Sequence, residues 1–209
     1  MSESSSAPAE HYFSANPAGE FKTSEVAVTL AGRDFLVETS GGIFSPDHVD
    51  AGTEALLRVV DTPPSTGNLL DIGCGWGPIA LSLALESPEA TVYAVDVNER
   101  AIELTGRNAA RVGATNVRAS RPDEVDAALE FDAIWSNPPI RVGKAELHAI
   151  MQTWIPRLTV GGLAWLVIAK HLGADSFEKW LRTEFGATHS VERADTHKGF
   201  RVIAVERTN

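Results

Sequence analysis

The sequence predicts an α/β fold in which a doubly wound, mostly parallel sheet of seven strands is covered by helices on both faces. From residue 68 onward, short apolar runs alternate with stretches of helical period, which is the pattern of successive strand and helix units. The chain then closes with two adjacent strand-like runs, THSVERA and FRVIAVE. We therefore expect the sheet to end in an antiparallel pair.

The first part of the chain is expected to form a tail and an extension of the main domain. Residues 1–10, MSESSSAPAE, hold Ser, Ala and Pro without a basic or long apolar segment, which is typical of a disordered tail and not of a signal peptide. In residues 11–66, the runs EVAVTL and DFLVET flank AGR and predict a short β-hairpin packed on the core. The stretch DHVDAGTEALLRVV predicts a helix that Pro63 and Pro64 end.

Residues 67–209 are expected to form the main domain, and its elements alternate regularly. The first five predicted strands are NLLDIG, TVYAVDV, NVRAS, FDAIWS and GGLAWLVIAK. The predicted helices are PIALSLALE, ERAIELTGRNAARVG, PDEVDAALE, KAELHAIMQTWIPRL and SFEKWLRTEF. Because a helix follows almost every strand, neighbouring strands are expected to run parallel.

The composition limits the partners that the chain can have. With 209 residues, 44% of them hydrophobic, it can bury one sizeable core. A formal charge of −10 argues against binding nucleic acid through overall charge, although residues 140–209 carry 10 basic and 7 acidic groups. This last third predicts either a local basic surface or an ordinary mixed-charge one. No apolar run approaches the roughly 20 residues of a membrane span, so no membrane partner is expected.

The cysteine and histidine content makes disulfides and metal ions unexpected. The single cysteine, Cys74, excludes an internal disulfide and agrees with a reducing, cytoplasmic location. Its place in a glycine-rich turn favours a small packing residue over a nucleophile. The six histidines show no spacing typical of metal ligands, so no metal site is expected. The oligomeric state is left open.

The segment DIGCGWG, residues 71–77, lies between a predicted strand and a predicted helix. Glycine lets the backbone approach a ligand closely at a helix start, so this turn predicts a site for a nucleotide-like ligand. The spacing G-x-G-x-G differs from the dinucleotide fingerprint G-x-G-x-x-G, which requires glycine where this chain has Pro78. The difference disfavours NAD, and a purely structural turn is the alternative.

Acidic and apolar residues follow the next predicted strand. The run AVDVN places Asp96 at the strand end, where a carboxylate can accept hydrogen bonds from both hydroxyls of a ribose. Val97 follows and is suited to pack on an adenine face. Capping of the next helix by Asp96 or Asn98 is the alternative, and it is compatible with ligand binding.

The stretch WSNPPIRVGK places an amide before two prolines at the end of a predicted strand. Proline restricts the residue before it to extended conformations, so Asn137 and Pro138 are expected to form a stiff turn. Their side-chain and backbone carbonyls are two acceptors that can hold the two hydrogens of an –NH2 group. An ordinary Asn-Pro turn is the alternative. In a doubly wound sheet, Asn137 would lie beside Gly73 where the strand order reverses.

The D-x-G-C-G-x-G loop, Asp96 and the NPP segment together resemble a class I S-adenosylmethionine-dependent methyltransferase. More narrowly, the chain is similar to the "methyltransferase small" domain of the ribosomal RNA small-subunit methyltransferase C type, in HYFS, GGIFSPDHVDAGTEALL, SNPPI-x-x-GK, GG-x-L-x-x-V and KGFRV. The resemblance implies a Rossmann-like fold, S-adenosylmethionine as cofactor and methylation of the exocyclic N2 of guanine. It also implies ribosomal RNA or the small ribosomal subunit as partner.

The resemblance also implies roles for individual residues. Those implied in cofactor binding are Asp50, Thr53, Asp71, Gly73, Cys74, Gly75, Gly77, Asp96, Val97, Asn98, Ser120 and Asn137. Those implied in catalysis are Asn137, Pro138, Pro139 and Ile140, and those implied in substrate contact are Phe44, Arg141 and Lys144. Helix starts are the alternative roles for Asp50 and Lys144.

Two positions depart from the family pattern. Ile140 stands where relatives often have a Tyr or Phe that stacks on the target, and Phe44 is expected either to supply that ring or to belong to the core. Arg121 stands at about the place where relatives carry an acidic residue near the adenine amine, so backbone groups around Ser120 are expected to contact adenine there.

Three alternatives stay open. The NPP turn can orient any planar amine or amide, so glutamine N5 of a protein or adenine N6 are alternative targets. A ribosome assembly factor that binds the cofactor without catalysis is a third possibility. The presence of Asp71, Asp96 and Asn137 together argues against lost catalysis.

Overall fold

The structure of the protein is a computed structural model that describes residues 21–43, 45 and 47–209, with the backbone alone for Arg141. The predicted tail, residues 1–10, lies outside the described residues. The strands are β1 (Thr23–Leu30), β2 (Arg33–Ser40), β3 (Asn68–Ile72), β4 (Thr91–Val95), β5 (Val117–Ser120), β6 (Phe131–Ser136), β7 (Leu158–Ala169), β8 (His189–His197) and β9 (Phe200–Arg207). The helices are α1 (Ala51–Leu57), α2 (Pro78–Glu86), α3 (Glu99–Val112), α4 (Lys144–Trp154) and α5 (Ala174–Phe185).

Seven strands form one sheet in the order β5-β4-β3-β6-β7-β9-β8, and β1 pairs with β2 in a separate hairpin. Strands β3 to β7 run parallel, whereas β9 is antiparallel to both β7 and β8. The predicted doubly wound α/β fold and its antiparallel end are confirmed. The chain moves outward from β3 to β5 and then returns to β6 on the other side of β3. This reversal opens a crevice at the carboxyl ends of β3 and β6.

Both faces of the sheet are buried, which is why its strands read as continuous apolar runs. Successive residues of a strand point to opposite faces. In β3, Leu69 belongs to one hydrophobic cluster and Leu70 to the other. In β6, Trp135 belongs to the same cluster as Leu69, and Ile134 to the same cluster as Leu70. The alternation shows that helices cover the sheet on each side.

Two predicted helices differ from the structure. The predicted helix PDEVDAALE is wrong, since only a single 3-10 turn forms at Pro122–Glu124. Glu124 and Asp126 accept hydrogen bonds from the N–H groups of Arg121 and Ala128, and such local bonds compete with a helix. The helix predicted to continue to Pro63 and Pro64 ends at Leu57 instead. There the N–H of Val59 bonds to the carbonyl of Leu56 and tightens the last turn.

One buried amide fastens the hairpin to the main domain. The Asn108 side chain in α3 accepts from the N–H of Glu38 at 2.7 Å and donates to the Glu38 carbonyl at 2.8 Å. It also donates to the carbonyl of Trp76 in the glycine-rich turn at 2.9 Å.

The division at residues 66 and 67 between extension and main domain stays a prediction. Within the described residues, no helix is long and apolar enough to cross a membrane.

Replacing Asn108 with alanine is expected to lower the free energy of unfolding by about 3 kcal/mol, because one buried and two part-buried backbone groups lose their partner. Urea unfolding measures this loss. Arg111→Ala is the control, since Arg111 holds the same hairpin through exposed ion pairs to Glu25 and Glu38 and exposed pairs contribute little. Equal losses in the two variants would contradict the role of the buried amide.

Candidate active site

A cavity of about 490 Å³ lies at the carboxyl ends of β3, β4, β6 and β7. Its size falls in the range of about 300–1,000 Å³ that is usual for small-ligand sites. On the side of β3 and β4, the predicted residues that line it are Gly73, Cys74, Gly75, Asp96, Val97 and Asn98. On the side of β6 and α1, they are Asp50, Thr53, Asn137, Pro138, Pro139 and Ile140. The structure therefore brings two groups of predicted residues, distant in sequence, into one cavity.

Other predicted residues lie away from the cavity surface. Asp71, Gly77, Ser120 and Lys144 are outside its lining. Asp71 is fully buried behind the glycine-rich turn. Phe44 lies outside the described residues. Arg141 stands in a 3-10 turn, Ile140–Val142, and the structure describes only its backbone.

The glycine-rich turn is tied to the neighbouring strand and open toward the cavity. The N–H groups of Gly73 and Cys74 donate to the carbonyl of Val95 at 2.8 and 3.1 Å. Gly75 has φ +58°, and a Cβ at that position would meet no atom within 4 Å. At Gly77 a Cβ would instead lie 3.2 Å from the Thr105 hydroxyl. Gly75 thus leaves room for a ligand, whereas Gly77 allows α2 to pack on α3.

Asp96 joins the turn to the start of α3. Its carboxylate accepts from the N–H of Gly75 at 3.1 Å and from the N–H of Asn98 at 2.9 Å. Burial raises the pKa of the Asp96 carboxyl, and the backbone hydrogen bonds oppose that rise. Asn98 caps α3 through the N–H of Arg100 and donates to the carbonyl of Gly42. Val97 beside them is 42% exposed, which leaves its apolar surface open to a ligand.

Burial raises the pKa of two groups of the turn. One Asp71 oxygen accepts from the N–H of Ala80 in α2 at 3.0 Å, and the other has no hydrogen-bond partner in the described structure. Burial raises the pKa of Asp71 to about 8. Burial also raises the pKa of the Cys74 thiol well above its usual value. A protonated thiol is a poor nucleophile, so Cys74 is suited to packing.

The Asn137 side chain is held by the start of α1. Its Nδ2 donates to Oδ2 of Asp50 at 2.8 Å and to Oγ1 of Thr53 at 3.2 Å. A carboxylate only accepts hydrogen bonds, so Asp50 determines which end of the amide faces it. The same Asp50 oxygen caps α1 by accepting from Gly52 at 2.7 Å. The helix-cap interpretation of Asp50 is confirmed, and it coexists with the contact to Asn137.

The backbone after Asn137 supplies a second acceptor. The N–H of Ile140 donates to the carbonyl of Pro138 at 2.8 Å, which leaves that oxygen one further lone pair. A Cβ on Gly73 would lie 3.6 Å from Pro139 and 4.0 Å from the Asn137 carbonyl. The predicted proximity of Asn137 and Gly73 is confirmed.

Sequence reasoning missed the need for two residues at this site. Gly52 is the second residue of α1, where a Cβ would lie 2.8 Å from Asp50 Oδ2 and 3.2 Å from Asn137 Nδ2. Phe200 lines the cavity from the start of β9. Phe200 lies in the segment KGFRV, but nothing in the local pattern indicates its neighbours.

Among the residues that the structure describes, no group of three or more His, Cys, Asp or Glu is placed to hold a metal ion.

The order of the seven strands, with a ligand-sized cavity at its reversal point, is the architecture of class I S-adenosylmethionine-dependent methyltransferases. The model of the methyltransferase small domain family matches residues 34–204. The chain belongs to that family, and its cofactor is S-adenosylmethionine. The open space at Gly75 and the acceptors of Asp96 fit the nucleoside part of such a cofactor.

Similar sequences include one of nearly the same length. The uncharacterized protein YbxB of Bacillus subtilis (strain 168) is 37% identical over 201 residues, which cover 95% of this chain and 98% of that protein. Ribosomal RNA small subunit methyltransferase C of Shewanella sp. (strain MR-4) is 32% identical over 149 residues. That match covers 69% of this chain but 42% of the methyltransferase. The chain thus matches less than half of the length of that relative.

Two solved structures share the fold. The 16S rRNA N2 methyltransferase (RsmC) of T. thermophilus, in complex with AdoMet and guanosine, superposes with a TM-score of 0.77 at 23% identity. It covers 90% of this chain and 51% of its own. TYW2 of M. jannaschii in complex with AdoMet superposes with a TM-score of 0.60 at 15% identity, over 95% of this chain and 99% of its own. At these identities the likeness shows the fold alone.

The raised pKa of Asp71 leads to a pH-dependent stability. When the folded-state pKa of an acid exceeds its unfolded value, the folded state holds the proton more tightly. We therefore expect the contribution of Asp71 to stability to fall as pH rises from 3.8 to about 8. Asp71→Asn can still accept from Ala80 but cannot ionise.

Urea unfolding of both proteins between about pH 5 and about pH 9 measures this difference. The wild type is expected to lose stability relative to Asp71→Asn as pH rises. A constant difference between the two proteins across that range would contradict the raised pKa.

Proposed function

We propose that this protein transfers a methyl group from S-adenosylmethionine to an exocyclic amine, namely N2 of a guanine in small-subunit ribosomal RNA. The observation that carries the proposal is the orientation of the Asn137 amide. Because Nδ2 is engaged by Asp50 and Thr53, the side-chain oxygen is the end of the amide left for a ligand. The wall of the cavity thus offers an acceptor to an incoming –NH2 group.

The residues act by orientation and need no covalent enzyme intermediate. When bound, S-adenosylmethionine supplies an electrophilic methyl group on a sulfonium. An exocyclic amine is a weak nucleophile, because its lone pair is conjugated with the ring. Acceptors at Asn137 and Pro138 hold its two hydrogens and turn the nitrogen lone pair toward the methyl group. The amine proton leaves to solvent after transfer, so no strong general base is required.

The cofactor-binding residues divide by their chemistry. We assign the ribose hydroxyls to Asp96, one adenine face to Val97 and the close backbone approach to Gly73 and Gly75. Cys74 and Asn98 complete this side of the cavity. Asp71, Gly77 and Ser120 act from behind the lining by holding the turn and the strand ends that carry these groups. Asp50 and Thr53 line the cavity next to Asn137, to which both are hydrogen-bonded.

The choice of RNA rests on the relatives and on the charges around the cavity. The relatives named above include an rRNA small subunit methyltransferase and a 16S rRNA N2 methyltransferase. Lys144 begins α4, a helix that reaches the cavity through Glu146, and Lys198 precedes Phe200. In the described part of the chain neither lysine forms an ion pair. Lysines on two segments that also contribute to the cavity lining suit contacts to phosphates even in an acidic protein.

Methyl transfer can be measured with tritium-labelled S-adenosylmethionine on small ribosomal subunits and naked rRNA from a strain that lacks this protein. Asn137→Ala is expected to lower kcat about 10²- to 10³-fold, because it removes an acceptor aligned with the transition state. Asn116→Ala is the matched control. Its side chain also donates two hydrogen bonds, to Ser87 and Ala90 at 3.0 Å each, but far from the cavity.

The outcomes separate the proposal from its alternatives. Label in RNA that requires Asn137 and not Asn116 supports the proposal. Label in protein would indicate the glutamine target. No label in either fraction, with calorimetry showing intact cofactor binding, would contradict methylation of the ribosome and favour a non-catalytic assembly factor.

Gly52→Ala is expected to lower kcat about 10- to 100-fold, because a displaced Asp50 no longer fixes the Asn137 amide. Alanine otherwise favours a helix, so the fold should persist. Gly106→Ala in α3 is the control, since a Cβ there meets nothing within 4 Å. The same methyl-transfer assay with a thermal unfolding curve checks both variants. Equal activity in the two alanine variants would show that Gly52 does not position Asn137.

A further inference from the structure

The NPP segment and the residue that follows it provide no aromatic surface to the cavity. Ile140 lines it directly after Pro138 and Pro139 and has no π face. A planar base held for methyl transfer loses its stacking partners when it leaves an RNA strand, and an aromatic side chain can replace them. The described residues of the cavity lining include two tryptophans, one phenylalanine and one histidine, namely Trp76, Trp154, Phe200 and His171. The tryptophans are nearly fully buried.

Phe200 stands next to the Asn137 amide. Its Cε1 lies 3.1 Å from the point where a Cβ of Gly52 would stand, and Asn137 Nδ2 lies 3.2 Å from that same point. The ring edge and the amide therefore both lie against Gly52. Phe200 pairs with Ala169 across β9 and β7, and both residues line the cavity. The ring thus belongs to the wall on the β7 side of Asn137, away from the glycine-rich turn.

The turn before Phe200 fixes the ring in this place. His197 and Phe200 are paired across β8 and β9, so only Lys198 and Gly199 form the loop. Both have positive φ, +44° and +86°, as a type I′ hairpin turn requires. A non-glycine residue with such a positive φ is uncommon. The carbonyl of Gly199 accepts from the N–H of Lys170 at 2.8 Å, which ties the turn to the end of β7.

The ring is half-buried and packs on the core through part of its surface. In the described part of the chain it stacks on no other aromatic ring and no guanidinium group. Phe200 thus combines partial exposure with a place in the cavity lining.

We propose that Phe200 provides the aromatic face on which the base carrying the target amine stacks, in place of an aromatic residue at position 140. This inference rests on the proposed function. The ring would hold the plane of the base while Asn137 and Pro138 hold its amine. Phe200 is then a substrate-binding residue that a sequence motif based on NPP alone does not reveal.

The test compares Phe200→Leu, which keeps apolar volume without a π face, with Phe200→Tyr, which keeps the ring. For transfer to small-subunit rRNA, Phe200→Leu is expected to lower kcat/KM about 5- to 150-fold, the loss that removing one stacked base contact causes. Phe200→Tyr should stay close to the wild type. Calorimetric affinity for S-adenosylmethionine should not change in either variant.

Phe35→Leu is the matched control for a general loss of packing. Phe35 is also half-buried against the core but lies in the hairpin, outside the cavity. If Phe200→Leu lowers kcat/KM no more than Phe35→Leu, or if it weakens cofactor binding as much as it lowers kcat/KM, the stacking role is wrong. A wild type that labels no RNA would instead overturn the proposed function itself, so the two failures are distinguishable.

Discussion

The hydrogen bonds from the Asn137 amide to Asp50 and Thr53 are the contact on which the arrangement of the cavity depends. They join the end of β6 to the start of α1, two segments that lie far apart in the chain. The Asp50 carboxylate also caps α1, so one group both begins the helix and orients the amide. Gly52 makes this geometry possible because any Cβ there would press on both partners. The side-chain oxygen of Asn137 is thereby oriented as a hydrogen-bond acceptor.

The sheet order brings the two sides of the cavity together. Because β6 returns beside β3, the NPP turn faces the glycine-rich turn. That turn is in turn held by the carbonyl of Val95 and by Asp96 at the end of β4. Cofactor groups on one side and acceptors on the other are thus carried by the rigid ends of neighbouring strands. Such rigidity suits a reaction in which alignment supplies most of the rate enhancement.

Features that depend on neighbours in sequence could be predicted. The strands of the sheet and the turn around Gly75 follow from apolar periodicity and from the conformational freedom of Gly. The helix predicted from the apolar periodicity of PDEVDAALE does not form. There the side chains of Glu124 and Asp126 accept hydrogen bonds from nearby backbone N–H groups, and such bonds compete with a helix.

Features that depend on distant neighbours could not be predicted. Gly52 has an ordinary helical place in the sequence, and its necessity arises from Asn137 and Phe200. The position of Phe200 beside the cavity requires the pairing of β7 with β9 and the tight turn that precedes it. The expectation that Phe44 supplies a ring concerns a residue outside the described part of the chain and stays a prediction.

Nucleoside analysis by mass spectrometry tests the central claim most directly. Small-subunit rRNA from a strain lacking the protein would be methylated in vitro by the wild type and then digested to nucleosides. An oriented acceptor pair that holds the exocyclic amine of guanine predicts N2-methylguanosine, absent when Asn137→Ala replaces the wild type. Methyl groups found on a ring nitrogen, on ribose or on adenine N6 would contradict that account.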